Sequence, residues 1–313
     1  MPFWRQSSLL KALLNLIHTP KTIAILGGSG SGKSALSLEI AREFPCAILS
    51  LDSLSIYQEI NIASAKPSAL ERGEIAHFGI DILRPDETQN VQNFITQFYK
   101  AKEFCEQNAL HLCIVGGSGF YLKTLLNGIS NLPTRRDSTP TKIQNLGDLK
   151  SQFAFLLHID SVYASTLKPK DTYRITRALE IYFDTDTIPS IYFKENPPKP
   201  ILHHCEIFEI LLDREVLRQR IAERTKTMLQ NGLINEVESL VSKYGTQHQW
   251  AKSIGIKEVL EFKDLVQLES LITTHTAQLA KRQRTFNKTQ FPPHFCGDYH
   301  AVKCAIEKYF SLQ

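Results

Sequence analysis

Gly27-Gly28-Ser29-Gly30-Ser31-Gly32-Lys33-Ser34 fits the pattern G-x-x-x-x-G-K-[ST], with an apolar run before it and a helical pattern after it. A turn of this kind aims backbone N–H groups at an anion and ends at a helix N-terminus. Lys33 adds a point charge, and the Ser34 hydroxyl is of the type that ligates Mg²⁺. The expectation is a phosphate-bearing ligand.

Two more chemical stretches follow. Asp52, in Ser50-Leu51-Asp52-Ser53-Leu54-Ser55-Ile56-Tyr57, ends a second apolar run. An acid there would accept a proton from a substrate, or serve as a helix cap or metal ligand. Gly116-Gly117-Ser118-Gly119-Phe120-Tyr121 ends a third run. Its glycines would let the backbone pass close to a ligand and Ser118 would meet a phosphate oxygen; a tight turn with an idle serine reads the same. No acid closes the run through Ile114 and Val115, and no N-K-x-D is present, which disfavours motor ATPases and GTPases. Arg220 and Arg224 lie one helical turn apart. Lys281, Arg284 and Lys288 share a helix face and, with Arg282 and Gln283, make the most concentrated basic stretch, which solvation alone would also explain.

The elements that must position these groups follow from periodicity. Strands are expected at Thr22–Leu26, Cys46–Leu51, Leu110–Val115 and Ile207–Leu212. Helices are expected at Ser34–Phe44, Phe120–Asn127, Arg214–Tyr244, Ile256–Phe262 and Val266–Lys288. This alternation implies an α/β fold, a P-loop NTPase-like core whose central parallel sheet is flanked by helices, with sites at the C-terminal edge of the strands. The prolines between Pro133 and Pro200 bracket a small inserted helical domain, helical from Leu149 to Phe183. The expected organisation is an N-terminal extension over 1–20 with a helix at Ser8–His18, a core of 21–132 and 201–313, and the insertion at 133–200.

The chain has 313 residues and a net charge of +4, only mildly suited to a polyanion. Its six cysteines lack a C-x-x-C pair and read as buried free thiols of a cytoplasmic protein. The apolar run at Ser8–His18 is too short to span a membrane.

Beside the P-loop, Ser50–Tyr57, Ile62–Pro67, His77 with Asp81-Ile82, Val115–Tyr121, Arg174–Glu180 and Ala280–Gln283 occur in order from Thr22 to about Lys288. In these the chain resembles the tRNA dimethylallyltransferases. The resemblance implies that the loop holds dimethylallyl diphosphate rather than ATP. It also implies transfer of the dimethylallyl group to the N6 amine of the adenosine 3′-adjacent to the anticodon, tRNA position 37. Asp52 is then the general base, and Ser118, Arg224 and Mg²⁺ at Ser34 stabilise the leaving diphosphate. Contacts to the tRNA anticodon stem-loop are implied for Asp52, Ser53, Leu54, Ser55, Ser118, Tyr173, Arg174, Arg177, Lys252, Gly255, Lys257, Lys281, Arg282, Gln283, Arg284 and Lys288, with no membrane partner and a monomeric enzyme. Ala63-Ser64 stand for Gly-Thr, Ser118 for Thr and Ser253 for Cys; Ile256 and Ala277 replace a tyrosine and an arginine expected near RNA. Two other readings are a small-molecule P-loop kinase, binding ATP and indifferent to RNA, and a non-catalytic RNA-binding protein with a relic loop.

Overall fold

The computed structural model describes residues 20–262 and 264–311, so the helix expected over Ser8–His18 lies outside the described residues. It divides into two compact units: the chain up to Leu125 together with Leu202 onward, and Leu126–Ile201.

The first unit is built on β1 (Thr22–Gly27), β2 (Cys46–Ser50), β3 (His77–Phe78), β4 (His111–Val115), β5 (Glu206–Ile210) and β6 (Phe295–Gly297). They lie side by side in the order β3-β2-β4-β1-β5-β6, every neighbouring pair parallel. β1 and β4 are almost entirely buried and apolar, as strands covered on both faces must be. On one face Leu36, Ile40, Val302, Ile306 and Phe310, from helices Lys33–Glu43 and Tyr299–Ser311, pack on Ile23, Ile25, Cys113 and Phe208. A second core gathers Tyr57, Ile60, Val237, Leu240, Trp250, Ile256, Leu268 and Ile272, joining the helices after β5 to the segment after Asp52.

The sheet and phosphate-loop placement agree with expectation, and several elements differ. Arg214–Tyr244 is two helices, Arg214–Gln230 and Leu233–Tyr244, because Gly232 takes φ 94° between them. Strands β3 and β6, of two and three residues, carry too few positions for a periodic signal. The helices Val91–Asn108 and Tyr299–Ser311 were not foreseen. The cysteines also differ: all are free, but Cys205 is half-buried and Cys296 and Cys304 are exposed.

The second unit is helical, with Leu156, Ile175, Ala178 and Leu179 at its centre. Its expected long helix is broken. Asp160 caps Ser161–Ala164 by accepting from Tyr163 N at 2.9 Å, and Asp171 caps Thr172–Thr185.

Among the described residues no helix is long and apolar enough to cross a membrane.

Candidate active site

The phosphate loop leaves β1 and closes through Ser31 N to Gly28 O at 3.1 Å and Leu36 N to Gly32 O at 3.0 Å. Gly30 and Gly32 take φ 86° and 98°, which side chains resist. Packing restricts them too: a Cβ on Gly30 would stand 2.9 Å from Ile221 Cγ1, and one on Gly32 3.2 Å from the Tyr299 ring. Helix Lys33–Glu43 starts without a side-chain cap or an acid in its first turn. Among the described residues, eight other helices have an Asp, Asn or Ser accepting at their start. The uncapped N-terminus keeps its positive end for an anion. One amide of the loop is already used: Ser29 N donates to Gln283 Oε1 at 2.9 Å.

Lys33 Nζ donates to Gly28 O at 3.0 Å. Burial, and then the nearby Arg224 guanidinium, bring its ammonium down to about 8, with Asp52 opposing. Burial likewise lowers Arg224, again opposed by Asp52. Arg224 has no hydrogen-bond or ion-pair partner among the described residues, although it is largely removed from water. Two desolvated cations thus face a single carboxylate, a charge balance that an anionic ligand would complete.

Asp52 is held at the end of β2 by its own chain: Oδ1 accepts from Leu54 N at 2.7 Å and Ser55 N at 3.1 Å. The carboxylate thus closes the turn over 53–56 rather than capping a helix, since no helix begins there, and this occupies one oxygen only. Among the described residues nothing donates to Oδ2, and Asp52 lines a cavity of about 470 Å³. Ser29, Gly30, Ser53, Leu54, Ser118, Arg224, Lys252, Arg282 and Gln283 line it as well, with an apolar side of Leu54, Ile221, Met228, Ile272, Leu279 and Phe286. A cavity with a cationic, glycine-rich end and an apolar wall suits a molecule that is part phosphate and part hydrocarbon.

Other expected site residues lie differently. Ser55 and Gly255 are buried, and Gly255 N donates to Glu258 Oε2 at 2.6 Å, capping its own helix. Ile256, one of the positions that depart from the expected pattern, is fully buried in the second core. The Ser64 hydroxyl donates to Ile60 O at 2.6 Å and stays in its own loop. Gln283 sits on the phosphate loop and above Gly117, where a Cβ would fall 2.2 Å from its Nε2. Gly116, Gly117 and Gly119 meet Leu51, Gln283 and the Phe286–Asn287 pair at close range, and Gly117 and Gly119 also line the cavity.

Lys252, Lys257, Lys281, Arg282, Arg284 and Lys288 are all exposed. In the helical unit, Tyr173 is 71% exposed with the Arg177 guanidinium 5.5 Å above its ring. Both arginines there have acidic partners: Arg177 with Glu180 at 2.7 Å and Arg174 with Asp171 at 3.5 Å.

Sequence reasoning missed Glu236. Its Oε2 accepts from Asn61 N and Ile62 N at 2.9 and 2.8 Å, and its Oε1 from Ala63 N at 2.9 Å. This fixes the loop that brings Ala63 and Ser64 to the cavity wall. Nothing in the local pattern of helix Leu233–Tyr244 marks that glutamate among its polar residues.

Residues 55–290 match the family model described as IPP transferase. The chain is 50% identical over 277 residues to the tRNA dimethylallyltransferase of Wolinella succinogenes, covering 87% of this chain and 92% of that one. It is 46% identical over 300 residues to the tRNA dimethylallyltransferase of Helicobacter pylori strain J99, covering 94% and 96%. Among solved structures, a eukaryotic dimethylallyltransferase acting on tRNA superposes with TM-score 0.77 at 28% identity, covering 86% of this chain and 70% of that one. The tRNA delta(2)-isopentenylpyrophosphate transferase of Staphylococcus epidermidis gives 0.67 at 28% identity, covering 94% and 100%.

Proposed function

The chain belongs to the IPP transferase family, and on that premise we propose that it is a tRNA dimethylallyltransferase whose reaction runs in the cavity between Asp52, the phosphate loop and Arg224. It transfers the dimethylallyl group of dimethylallyl diphosphate to N6 of the adenosine 3′-adjacent to the anticodon. The observation that supports this placing of the chemistry is the arrangement of Lys33 and Arg224, desolvated and short of negative charge, opposite an Asp52 that keeps one oxygen for a substrate proton.

The exocyclic amine is a weak nucleophile because its lone pair is delocalised into the ring. Asp52 accepts its proton as the N6–C1 bond forms, while the C1–O bond breaks and its electron pair leaves with the diphosphate. Lys33, Arg224, the uncapped helix start and Ser118 stabilise that growing charge. The apolar wall of Leu54, Ile221, Met228 and Phe286 holds the prenyl chain and excludes water from the allylic carbon.

Mg²⁺ fits the donors here: Ser34, in the first turn of helix Lys33–Glu43, is exposed and offers a hard hydroxyl oxygen, and no acid directly follows β4 to build an all-protein cage. Ser34 and the diphosphate oxygens would hold the ion, which supplies further charge neutralisation.

The target base must leave the anticodon stack to enter such a cavity, at a cost of a few kcal/mol that RNA contacts offset. Lys252 and Arg282 stand at the cavity and contact the nucleotides beside the target; Lys257, Lys281, Arg284 and Lys288 meet phosphates. In the helical unit Tyr173 and Arg177 form a stacking platform for a loop base. The enzyme acts as a cytoplasmic monomer.

The test incubates the protein with radiolabelled dimethylallyl diphosphate, Mg²⁺ and unmodified tRNA, with and without ATP. Label enters RNA without ATP, and Asp52→Ala loses about 10²–10⁴-fold in turnover while binding the diphosphate. Unimpaired transfer by Asp52→Ala refutes the base assignment; ATP hydrolysis without labelled RNA supports the kinase instead.

A further inference from the structure

Beyond the cavity wall, at the edge of the sheet, Glu209, His294 and Cys296 converge in a corner that the transfer reaction does not use. In the parallel register of β5 and β6, Phe208 stands opposite Phe295 and Glu209 opposite Cys296. Phe208 and Phe295 meet with ring centroids 6.2 Å apart. Alternation therefore puts Glu209 and Cys296 together on the other face, with His294 joining them two residues before Cys296. One donor atom from each of the three lies within 4.8 Å of the others.

The hydrogen bonding leaves a gap in charge. His294 Nδ1 lies 2.8 Å from Pro292 O, a carbonyl that only accepts, so Nδ1 carries the hydrogen. In the neutral ring the Nε2 lone pair then faces Glu209 Oε2 at 3.2 Å, acceptor against acceptor. Both side chains are nearly dry, 8% and 4% exposed, so water does not separate them. A cation between them, or a second proton on the ring, resolves the contact. The surroundings resemble a ligand shell: a backbone carbonyl orients the histidine, and Asn287 Nδ2 donates to Glu209 Oε1 at 2.8 Å, leaving Oε2 to coordinate. A tetrahedral ion with bonds of roughly 2.0–2.3 Å spaces its ligands about 3.2–3.7 Å apart.

We propose that Glu209, His294 and Cys296 form a structural zinc site that ties the last strand and the end of helix Leu265–Gln290 to the sheet. Imidazole nitrogen, carboxylate oxygen and thiolate sulfur together suit zinc and exclude magnesium or calcium. The exposed side of Cys296 leaves a fourth position for water. Uptake exchanges the Cys296 thiol proton for the metal and releases that proton to solvent.

The untagged full-length chain, stripped with a chelator and titrated with Co²⁺, tests this by absorption. One equivalent should give a thiolate-to-cobalt charge-transfer band that zinc displaces. The band should vanish in Cys296→Ser and persist in Cys304→Ser, whose thiol lies 3.7 Å from His300 in a separate pair. His294→Gln should weaken cobalt by more than the roughly 10–100-fold of an outer-shell change. Far-UV circular dichroism and prenyl transfer report whether each variant folds. Wild-type protein without the band, or a band that survives in folded Cys296→Ser, overturns the site and leaves an imidazolium–carboxylate pair.

Discussion

The Lys33 ammonium offers the sharpest test of the phosphate loop as a diphosphate holder. In the ligand-free protein, burial and Arg224 place it at about 8. A bound diphosphate puts several negative charges against it and restores an ordinary lysine. Diphosphate binding above pH 8 must therefore take up a proton, and affinity falls roughly tenfold between pH 7 and pH 9. The assay is calorimetry with a non-reactive dimethylallyl thiolodiphosphate in buffers of differing ionisation enthalpy, which reads affinity and proton uptake together. Lys33→Met should bind weakly and with a flat profile. The sign for stability is opposite: a lysine lowered on folding leaves the unfolded chain with more protons between about 8 and 10.5, so its own contribution to stability rises with pH there. The thiols of Cys46, Cys105, Cys113 and Cys205, pushed up by removal from water, act the other way, so melting alone does not isolate Lys33. An affinity in wild type that stays level from pH 7 to 9 without proton uptake refutes the reasoning.

Arg224→Ala should lower kcat about 10²–10³-fold, with Arg224→Lys recovering part, in single-turnover prenyl transfer; equal rates in all three would remove Arg224 from the leaving-group site. Gly30→Ala drives a Cβ against Ile221 in a left-handed conformation, and about 1–3 kcal/mol should appear as a lower Tm, whereas an unchanged Tm would show that the loop re-forms around it. Glu236→Ala leaves three backbone N–H groups without their acceptor, so amide exchange at Asn61–Ala63 should quicken and the KM for dimethylallyl diphosphate rise; protected amides there would refute the anchoring role.

Sequence made the phosphate loop, Asp52 and the parallel sheet legible because each depends on local spacing: glycines at a strand-to-helix turn, an acid closing an apolar run, strands alternating with helices. Partners distant along the chain stayed hidden. Glu236 reaches the loop at 61–63 across more than 170 residues, and Gln283 reaches Ser29 across 254. The glycines after β4 were visible, but their packing partners were not: Gly116 meets Leu51 beyond the end of β2, and Gly119 meets Phe286 and Asn287, a contact that arises only when helix Leu265–Gln290 lies on the sheet. The burial of Ile256 in the second core was hidden for the same cause, since an apolar side chain at the start of a short helix reads alike whether it faces solvent or a core.

That long helix explains why the loop and the proposed RNA surface behave as one piece. Ala280 closes over Gly28, Gln283 bonds Ser29 and overlies Gly117, and Asn287 fills the space beside Gly119, so its inner face forms a wall of the proposed diphosphate site. Its outer face carries the exposed Lys281, Arg284 and Lys288. A helix packed this tightly on two glycine turns has little freedom to shift without opening both. On the proposed reading, an RNA anchored on its outer face would set the height at which a flipped adenine meets Asp52, and a diphosphate anchored on its inner face would set the allylic carbon against the same reference. A single helix would then supply the near-attack alignment that an amine with a delocalised lone pair requires.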